Sequence, residues 1–141
     1  MKQILLGLAY LHENKVVHCD LKGANVLVDK NGIVKLSDFG CSKRFEGSLS
    51  KSDFSGAIKG SLPWMAPEVL QNQGYGRKAD IWSLGCTVIE MAVGGNPWGS
   101  DMVMTNFDAI MQIANPNKLP TIPSHLSDVC KDFIKVCLVR D

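Results

Sequence analysis

The sequence lacks a charge excess of either sign, because 15 Lys and Arg residues nearly balance 14 Asp and Glu residues and leave a formal net charge of +1. Such a balance gives no electrostatic reason to expect a nucleic acid or an acidic membrane surface as a partner. Hydrophobic residues make up 45% of the chain and charged residues 21%, as in ordinary globular proteins. The 141 residues therefore predict about one domain with a sizeable core.

The cysteines lack the spacing of a metal site or of a disulfide framework. There are five, at positions 19, 41, 86, 130 and 137, with no CxxC pair and no secretory signal at Met1. A zinc site that combines these thiols with His12 or His18 is possible, but the spacing of these residues does not match that of known zinc ligands. The pattern favours free or buried thiols in a reducing cytosol, and we expect a cytoplasmic protein.

Long hydrophobic runs are also missing. The most apolar stretch, 81–93, is interrupted by Ser83, Thr87 and Glu90, and it is shorter than the ~20 apolar residues that a membrane span needs. We therefore predict a core helix over 79–93, buried on every side and ended by the pair of glycines that follows. No membrane partner is expected.

Apolar residues recur at helical spacing in three further segments. No capping residue or loop precedes the first segment, which is typical of a truncated domain. The predicted buried positions are Ile4, Leu5, Leu8, Ala9 and Leu11 in segment 1–13; Phe107, Ile110, Met111 and Ala114 in a helix ended by Asn115-Pro116; and Val129, Cys130, Phe133, Ile134, Val136 and Cys137 in a helix capped by Ser127.

Two short β-branched runs, 26–28 and 33–36, flank a stretch that contains Asn31-Gly32. Asn-Gly between such runs is a strong hairpin signal, because both residues tolerate positive φ. This hairpin would place Asn25 and Asp38 at the same edge. Val16-Val17 is predicted as a further short strand, and 42–59 as a polar surface loop.

The most informative stretch is His-Cys-Asp-Leu-Lys-Gly-Ala-Asn at 18–25. Asp20 and Asn25 lie five positions apart, Asp38-Phe39-Gly40 follows thirteen residues after Asn25, and Ala66-Pro67-Glu68 comes later. An isolated Asp-Phe-Gly is usually only a turn, but the joint pattern is far more specific. It resembles the catalytic loop, the metal-binding turn and the end of the activation segment of eukaryotic protein kinases.

This resemblance implies transfer of the ATP γ-phosphoryl group to a protein hydroxyl, a reaction that depends on positioning and charge neutralisation. Asp20 would be the catalytic base, and Lys22 would contact the γ-phosphate and favour serine/threonine substrates. Asn25 and Asp38 would hold Mg²⁺, a hard cation that takes oxygen ligands. ATP and Mg²⁺ are therefore the implied cofactors.

The resemblance gives further residues a place in the site. Ser61 would contact the catalytic Asp and Lys beside the substrate, and Leu27 would form the floor of the adenine pocket. The remaining members are Phe39, Gly40 and Glu68 in the activation segment, and His18 and Asp80 as structural supports.

Within this superfamily the chain looks most like serine/threonine MAP kinase kinase kinases. The likeness rests on Lys22-Gly23-Ala24-Asn25, on 64–68 and on 74–91. It implies a signalling kinase whose protein substrate is a MAP kinase kinase. The oligomeric state is not indicated.

The resemblance covers 1–141 and implies the mainly α-helical C-terminal lobe with small β hairpins, truncated at both ends. Nothing matches the glycine-rich loop, the strand lysine or its glutamate partner of the N-terminal lobe. We therefore expect the isolated chain to be inactive or nearly so. The family arginine that pairs with Glu68 is also expected to be missing, which would lower stability by ~3–5 kcal/mol if Glu68 is buried.

Cys19 occupies the position at which most of the family carries an arginine that pairs with a phosphorylated activation loop. A neutral thiol cannot replace that guanidinium. We expect phosphorylation of the loop serines (Ser48, Ser50, Ser52 and Ser55) to control activity less through this contact.

A different class of function stays open beside the kinase interpretation. The chain could be a non-catalytic scaffold module that keeps the kinase lobe for protein contacts. The intact set of Asp20, Asn25 and Asp38 argues against it, since a scaffold has no need of these groups.

Overall fold

The computed structural model describes residues 1–45, 60–71, 76–99 and 105–140. Within these ranges the fold is mainly helical with small antiparallel strand pairs, as predicted. The loop serines between 46 and 59 lie outside the described residues. In chain order the elements are α1 (Lys2–Glu13), β1 (Val16–Val17), β2 (Val26–Val28), β3 (Val34–Leu36), β4 (Lys43–Arg44), α2 (Pro67–Leu70), α3 (Arg77–Val93), α4 (Asn106–Ala114) and α5 (Asp128–Cys137).

Helix α3 is the central element of the fold. Its predicted burial is confirmed for most of its length, but Met91 and Val93 near its end are 52% and 50% exposed. Trp82, which is 2% exposed, packs in one hydrophobic cluster with residues of α5, while Leu84 packs in a second cluster with residues of α1. Gly94 ends the helix with φ +70°, a left-handed conformation that glycine adopts without strain. Because α3 joins both clusters, it fixes the surrounding segments relative to one another.

The predicted hairpin is present, with a different turn. Val26 pairs with Leu36 and Val28 with Val34, and the Ser37 N–H donates to the Asn25 carbonyl at 3.0 Å. Only Gly32 of the Asn-Gly pair has positive φ, because the Asp29 carboxylate accepts the N–H groups of residues 31 and 33 and forms a wider loop. Strand β1 is also present, and its pairing with β4 was not predicted.

The predicted buried faces of α4 and α5 are wrong in part. In α4, Phe107 is 69% exposed and Met111 58%, while Ala109 and Ile113 are buried. In α5, Val129 and Val136 face solvent, although Ile134 and Cys137 are buried and Ser127 caps the helix as expected. Apolar residues lie on two faces of each helix, and tertiary contacts rather than the pattern select the buried one. In α1 the prediction holds for Ile4 and Leu8, whereas Leu5 is exposed.

All five cysteines are free thiols, as predicted. Burial raises the pKa of the Cys86 thiol, and to a smaller extent the nearby Cys137 thiol does so too. Burial also raises the pKa of Cys137 to about 11, so both thiols are protonated at neutral pH.

Among the described residues, no helix combines the length and the apolar character that crossing a membrane requires.

The packing of α3 against α5 requires a glycine at position 85. A Cβ there would lie 2.8 Å from the Cys137 Cβ and 3.0 Å from Leu138 Cδ2. We expect Gly85→Ala to destabilise the protein by up to about 2 kcal/mol, because an overpacking penalty of roughly 1–3 kcal/mol is reduced by a gain of about 1 kcal/mol in helix propensity. Urea unfolding should show a lower midpoint. Gly95→Ala, where a Cβ meets nothing within 4 Å, is the control, and equal midpoints for the two variants would contradict the prediction.

Candidate active site

Asp20 lies at the centre of the candidate site, where it is 8% exposed. Its Oδ1 accepts the Ser61 N–H at 2.8 Å, and its Oδ2 lies 3.2 Å from both Lys22 Nζ and Asn25 Nδ2. Lys22 Nζ also donates to Ser61 Oγ at 2.7 Å. The structure therefore brings together four predicted residues from two separate segments of the chain.

These contacts determine the charge state of Asp20. Desolvation is the largest influence and raises the pKa of this carboxyl, but hydrogen bonds from Lys22 and Ser61 outweigh it and hold the pKa below its ordinary value of 3.8. The carboxylate is therefore ionised at neutral pH and can accept a proton. An ionised oxygen pair has about four lone-pair sites, so these donors leave capacity for an incoming hydroxyl.

Asn25 is oriented by Asp20 and connects it to the hairpin. Its Nδ2 donates to the Asp20 carbonyl at 2.7 Å as well as to the carboxylate. Both amide hydrogens are thereby directed at Asp20, which leaves Oδ1 as the atom that can serve a cation. The N–H and the hydroxyl of Ser37 both donate to the Asn25 carbonyl. Asp38, the next residue, is therefore attached close to the backbone of Asn25.

Asp38 differs from Asp20 because it is exposed. It has φ +61°, a left-handed conformation that is uncommon outside glycine, and its Oδ1 accepts the Gly40 N–H at 3.3 Å. The donor chemistry of Asn25 and Asp38, an amide oxygen and a carboxylate, fits Mg²⁺. In the described ranges no group of three or more His, Cys, Asp or Glu side chains could hold a metal ion, and convergence of these residues on a single cation stays a prediction.

His18 links the catalytic loop to the Asp38 turn. Its Nδ1 lies 3.3 Å from the Asp20 N–H and its Nε2 lies 3.0 Å from the Ser37 carbonyl. Nδ1 must then accept and Nε2 must donate, which assigns the Nε2–H tautomer. The ring also contacts Phe39, with centroids 5.2 Å apart. His18 is fully buried, which agrees with the supporting place expected for it.

Asp80 supports the catalytic loop from α3. Its carboxylate is fully buried and accepts the backbone N–H groups of His18 and Cys19, each at 2.9 Å. His12 Nε2 lies 2.8 Å from the same carboxylate. Cys19 has φ +68°, a strained conformation that these bonds stabilise.

The segment that carries Ser61 approaches the catalytic loop closely because Gly60 precedes it. Gly60 has φ +115°, and a Cβ there would lie 2.9 Å from the Cys19 carbonyl oxygen. Any other residue would be strained and would push the segments apart. Glycine at 60 thus permits the contacts of Ser61 with Asp20 and Lys22.

The remaining predicted residues lie at the margins of this cluster. Leu27 is 54% exposed, Gly40 lies in the turn after Asp38, and Glu68 is half-buried in α2. Burial lowers the pKa of Arg140, and the Glu68 carboxylate opposes that shift. Arg140 therefore lies within electrostatic reach of Glu68, while the absence of the family arginine that pairs with Glu68 stays a prediction.

Two side chains at the site were not predicted. His12, on α1, contacts Asp80, and Glu90, near the end of α3, accepts the Gly23 N–H at 2.7 Å. The available signal was that each is polar within an otherwise apolar helical segment. Sequence alone gave no partner for either.

The comparisons with known proteins agree with this geometry. The sequence matches the protein kinase domain family over residues 1–141. The chain belongs to the protein kinase family. It is 50% identical to mitogen-activated protein kinase kinase kinase A of Dictyostelium discoideum, 49% identical to mitogen-activated protein kinase kinase kinase 19 of Homo sapiens and 49% identical to mitogen-activated protein kinase kinase kinase 3 of Arabidopsis thaliana, with 99% of the chain covered each time.

The similarity to MAP kinase kinase kinases that the sequence motifs suggested is thereby confirmed. The chain spans only part of these relatives, namely 14%, 11% and 22% of their respective lengths. What the relatives do as whole proteins therefore enters below as a proposal for this chain.

The lowered pKa of Asp20 predicts how its contribution to stability depends on pH. A carboxyl whose folded-state pKa lies below the unfolded value stabilises the fold above the unfolded pKa, and this stabilisation is lost as the pH falls through the folded pKa. We expect Asp20→Asn to be less stable than wild type near neutral pH, with a difference that shrinks as the pH falls below 3.8. Urea unfolding across acidic pH measures it.

A matched control for this titration is Asp132→Asn, because Asp132 is exposed and forms a surface ion pair with Lys135 at 2.8 Å. Such pairs contribute ~0–1 kcal/mol, so this variant should stay close to wild type at every pH. A stability difference for Asp20→Asn that did not change with pH would contradict the assignment.

Removal of the Asp80 carboxylate should be severe. Asp80→Ala leaves the N–H groups of His18, which is fully buried, and of Cys19, which is partly buried, without this acceptor. Each unsatisfied group costs about 1–3 kcal/mol, so we expect a loss of about 2–6 kcal/mol. Asp128→Ala is the control, because Asp128 occupies the first turn of α5 as Asp80 does in α3 but has a 96% exposed side chain. Equal unfolding free energies for the two variants would show that the buried carboxylate does not support the loop.

Proposed function

We propose that the chain forms the C-terminal lobe of a serine/threonine protein kinase that transfers the ATP γ-phosphoryl group to a protein hydroxyl. The observation that carries the proposal is the ionised Asp20 carboxylate, held by Lys22, Asn25 and the Ser61 N–H in one cluster. A general base must lie within hydrogen-bond distance of the proton that it accepts. In this proposal the substrate hydroxyl reaches Asp20 from the side of Ser61. The protein substrate, by analogy with the relatives, is a MAP kinase kinase.

In this mechanism the substrate hydroxyl gives its proton to the Asp20 carboxylate as its oxygen forms a bond to the γ-phosphorus. The bond between that phosphorus and the β,γ-bridging oxygen breaks, and ADP leaves. Lys22 places an ammonium between Asp20 and Ser61, where it neutralises charge on the transferred group. Asn25 and Asp38 would hold Mg²⁺, which neutralises phosphate charge when bound. Leu27 would contact the adenine ring, and Phe39 and Gly40 set the turn that presents Asp38.

The exposure of the nucleotide-facing residues agrees with this assignment. Asp38 is exposed, Leu27 is 54% exposed and Phe39 is 46% exposed, although the latter two are large apolar side chains. Exposed apolar residues next to a polar site are typical of a surface that receives a ligand or another part of the protein. In contrast, Asp20, the proposed base, is 8% exposed, and Asn25, the other proposed Mg²⁺ ligand, is 6% exposed.

The test uses the full-length protein with a MAP kinase kinase as substrate. We expect Asp20→Asn to lower kcat by roughly 10²–10⁴-fold, the usual contribution of a general base, while the thermal shift caused by Mg²⁺ and ATP persists. Asp38→Ala should abolish that thermal shift, and Asp132→Asn should change neither measurement.

The outcomes separate the kinase from a non-catalytic scaffold. Absence of both phosphoryl transfer and the Mg²⁺-ATP thermal shift in the wild-type protein would favour the scaffold. A shift that survives Asp38→Ala would leave nucleotide binding intact but remove Asp38 from the metal site.

A further inference from the structure

Polar side chains of α3 contact the main chain of the catalytic loop in the order of the loop sequence. Asp80 accepts the first two N–H groups, Thr87 Oγ1 lies 3.5 Å from the Leu21 carbonyl, and Glu90 Oε2 accepts the Gly23 N–H at 2.7 Å. The loop is therefore attached to the helix near both of its ends. Asp80 holds the end before the base, and Glu90 holds the end after Lys22.

Glu90 also reaches the segment on the other side of the site. The same Oε2 atom accepts the indole N–H of Trp64 at 2.8 Å. Trp64 ends the short 3₁₀ turn that follows Ser61. One half-buried carboxylate thus joins the catalytic loop to the segment that carries Ser61, through charge-assisted hydrogen bonds, which are the stronger kind.

The glycine at position 23 is matched to this carboxylate. A Cβ on Gly23 would lie 2.7 Å from Glu90 Oε1, which is closer than real Cβ atoms approach, and 3.0 Å from Oε2, so the Glu90 carboxylate would have to move. The pair is therefore interdependent: the carboxylate occupies the space that a side chain at 23 would need.

We propose that Glu90 is a positioning residue for phosphoryl transfer, which sets the distance between the loop that carries Asp20 and Lys22 and the segment that carries Ser61. The Lys22 ammonium bridges these two parts, and Lys22 directly precedes the residue that Glu90 holds. A shift of the loop or of the segment that carries Ser61 would therefore change the position of the Lys22 ammonium and the Asp20 carboxylate relative to the substrate. This role rests on the proposed kinase function.

The contact itself can be tested without activity, in the full-length protein labelled with ¹⁵N-tryptophan. The Trp64 indole signal, identified by its loss in Trp64→Phe, should move and exchange faster in Glu90→Ala and in Gly23→Ala. The Trp98 indole, which donates to the Pro63 carbonyl at 2.9 Å, is the internal control. An unchanged Trp64 signal in both variants would overturn the bridge.

The kinetic test asks whether the bridge positions the reacting groups. We expect Glu90→Ala and Gly23→Ala each to lower kcat by roughly 10²-fold, the effect of a displacement of about 1 Å, with little change in the KM for ATP. Glu90→Gln keeps an acceptor oxygen and should retain most activity. The urea midpoints of the variants are compared with that of wild type. Where they differ, kcat is corrected for the folded fraction, so that a loss of kcat caused by unfolding is excluded.

The double variant gives the decisive comparison. Once Glu90→Ala empties the space, a Cβ at position 23 fits, so the double variant should be no slower than Glu90→Ala alone. Additive losses, which are typical of independent sites, would overturn the proposal, as would full kcat in both single variants. If the wild-type protein shows no phosphoryl transfer in the same assay, the kinase proposal fails and the positioning role with it, while the indole signals still report the contact.

Discussion

The geometry of the site depends on one buried charge. Asp80 lies in the first turn of α3 with no solvent exposure, and a buried carboxylate must be supplied with donors or it destabilises the fold. Two of its donors are successive N–H groups of the catalytic loop, at His18 and Cys19. The two N–H groups reach the two oxygens of the same carboxylate, from a turn in which Cys19 has positive φ.

The position of the proposed base follows from that anchored turn. Asp20 comes one residue after Cys19, and its N–H is directed at the buried His18 ring, which holds its backbone next to that ring. The hydrogen bonds from Lys22 and Ser61 then hold its carboxylate. Phosphoryl transfer leaves the protein mainly with positioning, and a loop attached to the most buried helix moves less than a free surface loop.

Sequence patterns predicted the parts of this arrangement that local chemistry determines. Asn31-Gly32 marked the hairpin, Ser127 marked the start of α5, and the continuous apolar run marked α3. The motif residues Asp20, Lys22 and Ser61 were predicted to meet, and they do. In each case the signal lies in neighbouring residues or in a pattern shared with a large family.

Sequence patterns failed where residues distant in the sequence determine which side chains are buried and which ones form contacts. Phe107 and Val129 fit a buried stripe as well as Ile113 and Ile134 do, but only the latter two face a neighbouring element. The contacts of His12 and Glu90 span 68 and 67 positions, and no local rule relates such residues. A charged residue in an apolar helix indicates that a partner exists without saying which.

The site is divided into a part that is fixed before any ligand arrives and a part that is open. Asp20 and Asn25 are 8% and 6% exposed and hydrogen-bonded to each other, so their placement costs no further ordering when a substrate binds. Asp38 is exposed and accepts the Gly40 N–H at 3.3 Å within its own turn, so its carboxylate is accessible to water. This division is consistent with the proposed chemistry. A base must meet its proton in one geometry, and of the two proposed cation ligands Asn25 is held in place while Asp38 can exchange water for an arriving metal and phosphate.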